Sequence, residues 1–171
     1  MSGRPFIKMH GLGNDFVVVD ARAEPFPLTD ALAKAIADRR EGVGCDQLLI
    51  LEPPSNGSAD VFLRIRNHDG GEVGACGNGT RCVAALVMGE LGREALTIET
   101  NAGLLHAKAA GPGRVTVDMG EARLGWQDIP LAEERDTLHL GIENGPLKDP
   151  VGVNMGNPHA VLIGPETEGA P

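Results

Sequence analysis

The chain has 171 residues, of which 42% are apolar, so it can bury one good hydrophobic core and part of a second. The chain has 15 lysines and arginines and 24 acidic residues, which gives a net charge of -9. Nucleic-acid-binding proteins need a basic surface, so this charge argues against that class. The apolar runs are well short of the length that crosses a membrane. These properties predict a globular protein that binds neither nucleic acid nor a membrane.

Cysteine usage predicts a cytoplasmic location. The chain has three cysteines, no CxxC spacing and no apolar signal-peptide core in its first five residues. An odd number of cysteines fits a reducing compartment better than a disulfide framework. Cys76 and Cys82 have the wrong spacing for zinc and no histidine pair is near them, so we expect no metal site.

Hydrophobic patterns predict strands and one helix in the first part of the chain. Thr29 can cap a helix that runs to about Arg40, with Leu32, Ala35 and Ile36 on its apolar face. Strict alternation over residues 60–66 predicts a half-buried strand, which an Asp-Gly turn follows. The other strands predicted here are residues 6–9, 16–19 and 48–51.

The stretch 74–82 is predicted to be the centre of the fold. Cys76 is followed by Gly77-Asn78-Gly79 and then by an apolar run, 83–88, which predicts a helix that ends near residues 89–92. Asn78 or Thr80 can cap this helix, and we expect it to be buried all round because its run is apolar on every side. Cys76 then lies at a helix N-terminus, whose dipole favours a thiolate and whose free N–H groups can hold a carboxylate.

Three interpretations of this stretch stay open on the residues alone. The first is a glycine-rich turn before a core helix, with Cys76 as a small buried side chain. The second is a phosphate loop, although Thr80-Arg81 stands where such a loop requires Lys followed by Ser or Thr. The third is a reactive thiolate beside a cradle for an anion.

The chain after this helix predicts short strands joined by turns. The first three are residues 96–100, 104–109 and 115–119, and they predict an antiparallel meander. Beyond residue 120, the sequence predicts possible strands at 137–142 and 151–155, a turn at 156–159 and a further strand at 160–163, with no helix. We therefore expect an α+β fold in which a sheet curls around one helix.

Five segments, in order along the chain, resemble the diaminopimelate epimerase family. They are KMHGLGNDF at 8–16, GVGCDQ at 42–47, NHDG at 67–70, ACGNG at 75–79 and MGNPH at 155–159. The ordered set is specific, whereas each segment alone is weak. The related proline racemases use a different cysteine motif, and the phenazine-biosynthesis relatives lack the cysteine.

The resemblance implies a cofactor-independent isomerase that converts LL-diaminopimelate to meso-diaminopimelate, in the route to lysine and peptidoglycan. One cysteine thiolate takes the α-proton, and a second cysteine thiol protonates the opposite face. The implied fold has two pseudo-symmetric halves, each a mixed or antiparallel sheet around a central helix, and the full-length enzyme is expected to be a homodimer.

The resemblance also assigns residues. Cys76 matches the first catalytic cysteine, and His159 matches a histidine that tunes the cysteine pair. The substrate-binding positions are matched by Asn14, Gln47, Asn67, Gly77, Asn78 and Asn157.

Family members are longer, and their second half brings the second catalytic cysteine. We therefore expect residues 1–120 to form the N-terminal half, residues 121–171 to be the incomplete beginning of the C-terminal half, and this chain alone to be inactive. Two alternatives stay open: a non-catalytic half-domain that binds a carboxylate or pairs with a partner, and another amino-acid racemase of the proline-racemase type.

Overall fold

The computed structural model describes residues 3–55 and 57–164. The chain divides into two compact units, Met1–Met119 and Gly120–Pro171. The assignment of residues 1–120 and 121–171 to two halves of one enzyme stays a prediction.

The first unit is built on an eight-stranded mixed sheet. Its strands are β1 (Ile7–Gly11), β2 (Asn14–Asp20), β3 (Gln47–Glu52), β4 (Val61–Asn67), β5 (Glu72–Val73), β6 (Ala95–Thr100), β7 (Gly103–Ala109) and β8 (Val115–Asp118). They neighbour one another in the order β1-β2-β3-β4-β6-β7-β8, and β5 also pairs with β4. The pairs β2/β3 and β4/β6 are parallel and the others are antiparallel.

Two helices, α1 (Asp30–Ala37) and α2 (Gly77–Leu91), pack against this sheet. Side chains alternate across a strand, so Val18 joins the core that contains Val83 of α2, while its neighbour Val17 joins the core that contains Ala37 of α1. Burial on both faces explains the unbroken apolar runs at 16–19 and 48–51. Helix α2 contacts strands from β1 at one edge to β8 at the other, so the sheet curls around it. The predicted α+β fold is confirmed.

The sheet does not enclose α2 completely. Ala85 and Gly89 are exposed, and Leu91 is 49% exposed, so the prediction of a helix buried all round is wrong. The open side meets a groove between the two edge strands, lined in part by Met9, Ala85 and Val115. Small residues leave little apolar surface in water, so an apolar composition alone does not require burial. The predicted end of the helix is confirmed, because Gly92 terminates it in the left-handed conformation (φ 62°).

The first helix begins as predicted but ends earlier. The Thr29 side chain caps it and accepts a hydrogen bond from the N–H of Leu32 at 3.2 Å. It stops at Ala37 instead of near Arg40, because the Asp38 carboxylate accepts hydrogen bonds from the two backbone N–H groups that follow Arg39. Such a turn competes with continuation of the helix.

The predicted apolar face of α1 is also wrong in part. Its buried residues are Ala33 and Ala37, whereas Leu32 is 38% exposed, Ala35 is exposed and Ile36 is half-buried. Helix α1 packs on β3 and β4. Two alanines one turn apart let the helix approach this sheet closely.

The second unit has two small antiparallel ladders in its described residues. They join β9 (Glu143–Asn144) to β10 (Leu147–Lys148) and β11 (Val151–Asn154) to β12 (Pro158–Val161). The predicted strand at 137–142 is wrong, because no strand forms over those described residues. Leu140 is instead buried, and its side chain and that of Ile129 both lie next to Gly152. The last strand starts at Pro158, inside the predicted turn.

Candidate active site

Helix α2 begins immediately after Cys76, which is its N-cap and is half-buried. The Cys76 backbone is extended (φ -146°, ψ 109°), and its Sγ accepts a hydrogen bond from the N–H of Gly79 at 3.4 Å. The Thr80 hydroxyl donates to the Cys76 carbonyl oxygen at 2.8 Å. The prediction that Asn78 or Thr80 caps this helix is therefore wrong: the helix starts at Gly77, so both residues already lie in its first turn.

The start of α2 offers donors to an anion. The first N–H groups of a helix have no acceptor within it, and no acceptor for the Gly77 or Asn78 N–H lies in the described part of the chain. Arg81 adds a positive charge here, because its guanidinium donates to Asn78 Oδ1 and its Nη1 lies 3.7 Å from where a Gly77 Cβ would be. Free amides, the helix dipole and this guanidinium together suit a carboxylate.

Arg81 is a member of the site that the sequence motifs do not predict, since its only role in them is as a departure from the phosphate-loop pattern. The available signal was its position three residues after Asn78, which puts both side chains on one face of the helix.

Asn14, at the start of β2, reaches the same place from another element. Its Oδ1 lies 3.9 Å from Cys76 Sγ and 3.5 Å from Asn78 Nδ2. Its Nδ2 donates to Asp46 Oδ2 at 2.9 Å. The structure therefore brings together three of the predicted site residues, Asn14, Cys76 and Asn78.

Gln47 and Asn67 form a second pair of predicted site residues, on neighbouring strands. They are register partners on β3 and β4, and Gln47 Nε2 donates to Asn67 Oδ1 at 2.8 Å. Strands β2 and β3 are parallel and β4 is antiparallel to β3. The first residues of β2 and β3 and the last residue of β4 therefore lie at the same end of these three strands. Gln47 Oε1 is buried and has no hydrogen-bond partner among the described residues.

A charged cluster contacts Asn14 through Asp46. It is formed by Lys8, Asp15, Arg39 and Asp46. Arg39 Nη2 donates to Asp15 Oδ1 and to Asp46 Oδ1, both at 2.7 Å, and Lys8 Nζ donates to Asp15 Oδ2 at 2.6 Å. The hydrogen bond from Arg39 holds the pKa of the Asp15 carboxyl well below its usual range. The hydrogen bond from Asn14 contributes most to a lowered pKa of Asp46. Both carboxyls are therefore ionised at neutral pH.

The other two thiols belong to the hydrophobic core. Cys45 is 1% exposed and lies in the core under α1, while Cys82 is 7% exposed and lies in the core around α2. Burial raises the pKa of both thiols, because it disfavours the thiolate. Cys76 is the most accessible of the three.

Asn157 and His159 lie in the second unit. The structure brings these two predicted residues together, with 3.0 Å between His159 Nε2 and Asn157 Oδ1. His159 is exposed on β12, and Asn157 is half-buried in the bend that precedes it.

Residues 3–55 and 57–164 contain no group of three or more His, Cys, Asp or Glu side chains that could hold a metal ion. Neither helix in that part of the chain has the length and apolar character to cross a membrane.

Comparison with known proteins gives consistent matches. The family profile described as diaminopimelate epimerase matches residues 6–125. The chain is 59% identical to the diaminopimelate epimerase of Rhodospirillum centenum and 58% identical to that of Acidiphilium cryptum. These alignments cover 96% and 95% of this chain, but only 57% and 58% of the relatives. The chain thus spans a little over half the length of the curated relatives it matches.

The fold also matches a solved structure. The crystal structure of a hydroxyproline epimerase from Agrobacterium vitis superposes with a TM-score of 0.66 over 92% of this chain and 50% of that chain. Its sequence is 18% identical, so the likeness concerns the fold.

Proposed function

Because this chain belongs to the diaminopimelate epimerase family, we propose that it carries one of the two proton-transfer groups that convert LL-diaminopimelate to meso-diaminopimelate. The observation that supports this most is the meeting of Cys76, Asn14 and the free N–H groups at the start of α2. These groups place a thiol next to hydrogen-bond donors for a carboxylate. Removal of an α-proton requires both a base and such donors.

The proposed chemistry begins at Cys76. Its thiolate takes the proton from the α-carbon, so an S–H bond forms, the Cα–H bond breaks, and the electron pair stays on the substrate. The α-proton of an amino acid is very weakly acidic, so fixed donors must stabilise the negative charge that develops on the carboxylate. The N–H groups of Gly77 and Asn78 are proposed to be those donors, with Arg81 supporting them.

The amide side chains are proposed to bind the rest of the substrate. Asn14, Gln47 and Asn67 lie at the same end of three neighbouring strands, and Asn14 also lies beside Cys76. An amide can both donate and accept hydrogen bonds. This suits a distal group that carries an ammonium and a carboxylate. The Oε1 of Gln47, which has no partner in the described part of the chain, supports the proposal, since a buried acceptor without a donor is costly unless a ligand supplies one.

Inversion also needs an acid on the opposite face of the carbon. Cys45 and Cys82 are buried core thiols with raised pKa values and do not suit this role. We propose that a second cysteine, in the part of the enzyme that the longer relatives contain, supplies the proton. Asn157 and His159 keep their proposed roles, substrate binding and tuning of the thiols, on the family motif at 155–159.

The setting of the enzyme is also proposed. A lysine-biosynthetic homodimer in the cytoplasm would fit the family, and the three cysteines, all free in the structure, fit a reducing compartment.

A chimera tests the proposal. The chain is fused to the remaining part of the Rhodospirillum centenum relative, and interconversion of LL- and meso-diaminopimelate is followed by chiral chromatography. We expect activity, a loss of at least about 1,000-fold in kcat on Cys76→Ser, and near-normal activity for the matched control Cys82→Ser. A folded chimera in which Cys76→Ser retains normal activity would refute the role of Cys76.

A further inference from the structure

Asn14 presents one end of its amide to the candidate site, and the chemistry of that end depends on which way the amide is turned. If the amide oxygen faces Cys76, Asn14 accepts a hydrogen bond there, whereas if the amide nitrogen faces Cys76, Asn14 donates one. Asp46 Oδ2 lies 2.9 Å from the other end of the amide. An ionised carboxylate only accepts hydrogen bonds, so the nitrogen must face Asp46 and the oxygen must face the site.

Asp46 itself is held from several sides. Its Oδ2 also accepts a hydrogen bond from the backbone N–H of Asp15 at 3.0 Å, and its Oδ1 accepts one from Arg39 Nη2 at 2.7 Å. Its backbone N–H donates to the Asp15 carbonyl at 3.0 Å, and its carbonyl accepts from the N–H of His68 at 3.0 Å. Two of these contacts fix the carboxylate and two fix the backbone of Asp46, so the carboxylate has little freedom to turn away from Asn14.

We propose that Asp46 is a positioning residue that fixes the Asn14 amide with its oxygen towards Cys76 and the first turn of α2. The oxygen then lies 3.9 Å from Cys76 Sγ and 3.5 Å from Asn78 Nδ2. A carbonyl oxygen there can accept a hydrogen bond from the thiol or from a substrate donor, whereas an NH₂ group would donate to the sulfur and favour the thiolate regardless of substrate. The inference rests on the proposed function, which gives Asn14 and Cys76 their roles.

Cysteine alkylation in the 171-residue chain tests this coupling. The rate of Cys76 modification by iodoacetamide at pH 7 is measured by peptide mapping for Asp46→Ala, for Asn14→Ala and for the double variant. Without Asp46 the Asn14 amide can turn its NH₂ group to the sulfur, so we expect alkylation about threefold faster. In the Asn14→Ala background the same change should alter the rate by less than about 1.5-fold.

The matched control is Asp15→Ala. It removes a carboxylate from the same cluster, and that carboxylate also pairs with Arg39 but forms no hydrogen bond with the Asn14 side chain among the described residues. We expect less than about a 1.5-fold change in the Cys76 rate. The proposal would be overturned if Asp15→Ala accelerates Cys76 alkylation as much as Asp46→Ala does. It would also be overturned if Asp46→Ala has the same effect with and without Asn14. Either result would mean that the charge of the cluster acts directly on the thiol.

A measurement on the unaltered chain keeps the proposal testable if Asp46→Ala does not fold. NMR should detect scalar coupling across the hydrogen bond from Asn14 Nδ2 to the Asp46 carboxylate carbon, and slow exchange of the donated proton. An Asn14 NH₂ group that shows neither would overturn the proposal. The chimera can fail to epimerise while the alkylation rates of the three variants come out as expected, and it can be active while those rates do not. Failure of the proposed function and failure of this proposal are therefore distinguishable.

Discussion

Gly79 tests how tightly the start of α2 is packed on the sheet. A Cβ at this position would lie 3.0 Å from Leu49 Cδ2 and 3.6 Å from Phe16 Cε1. Both neighbours are fully buried, so neither can move into solvent. Gly79→Ala therefore forces either Leu49 or the first turn of α2 to shift. The same substitution at Gly89, on the exposed side of the same helix, meets nothing within 4 Å.

The two changes are expected to differ in sign. Replacing glycine by alanine inside a helix contributes about 1 kcal/mol of stability. Inserting a methyl group into a packed core costs about 1–3 kcal/mol. Gly89→Ala should therefore raise the free energy of unfolding by about 0.5–1 kcal/mol, while Gly79→Ala should lower it by about 1 kcal/mol. The difference between the variants, about 2 kcal/mol, isolates the packing contribution.

Urea unfolding followed by circular dichroism at 222 nm measures this difference. Both described helices belong to the first unit, so the signal reports on that unit. Trp126, the only tryptophan, lies in the second unit and is unsuitable as the probe. If Gly79→Ala is as stable as Gly89→Ala, then the packing of Gly79 against Leu49 has been misjudged.

Three further outcomes are expected. Iodoacetamide at neutral pH should modify Cys76 at least about tenfold faster than Cys45 or Cys82, because those two thiols are buried and their pKa values are raised, and equal rates in mass spectrometry would contradict this. The 171-residue chain alone, incubated with LL-diaminopimelate in deuterated water, should give little α-deuterium uptake and little meso product, and efficient epimerisation that is lost on Cys45→Ser would show that the second base has been assigned wrongly. The pKa of Asp15 is lower in the folded than in the unfolded chain, so its ion pairs stabilise the fold fully above about pH 4 and this stabilisation is lost as the pH falls. The loss of unfolding free energy on Asp15→Asn, measured by urea unfolding, should therefore shrink from pH 6 to pH 2. A loss that stays constant over this range would count against the pairing.

The local pattern of the sequence was sufficient for most elements of the first unit. The alternation at 60–66 placed Val61, Leu63 and Ile65 on one face, and all three are fully buried on β4. The position of Cys76 at a helix N-terminus was also predictable, because a glycine-rich segment precedes an apolar run. Both signals come from residues a few positions apart.

Features that depend on distant residues were not predictable in this way. The hydrogen bond between Asn14 and Asp46 joins residues 32 positions apart and requires the parallel pairing of β2 and β3. The open side of α2 depends on how far the sheet curls, which its apolar sequence does not encode. In the second unit, the residues around Leu140 resemble a strand, but Leu140 is buried next to Gly152 without belonging to a strand.

The central claim is that Cys76 transfers the α-proton on one face while another group acts on the opposite face. Deuterium uptake by the active chimera in deuterated water tests this most directly, with the α-position of product and of unreacted LL-diaminopimelate analysed separately at early times. A two-base reaction predicts that the product carries solvent deuterium at the inverted carbon while the remaining substrate stays largely protonated, and that Cys76→Ser abolishes the inversion. Equal deuterium in both pools, or inversion that survives Cys76→Ser, would contradict the claim.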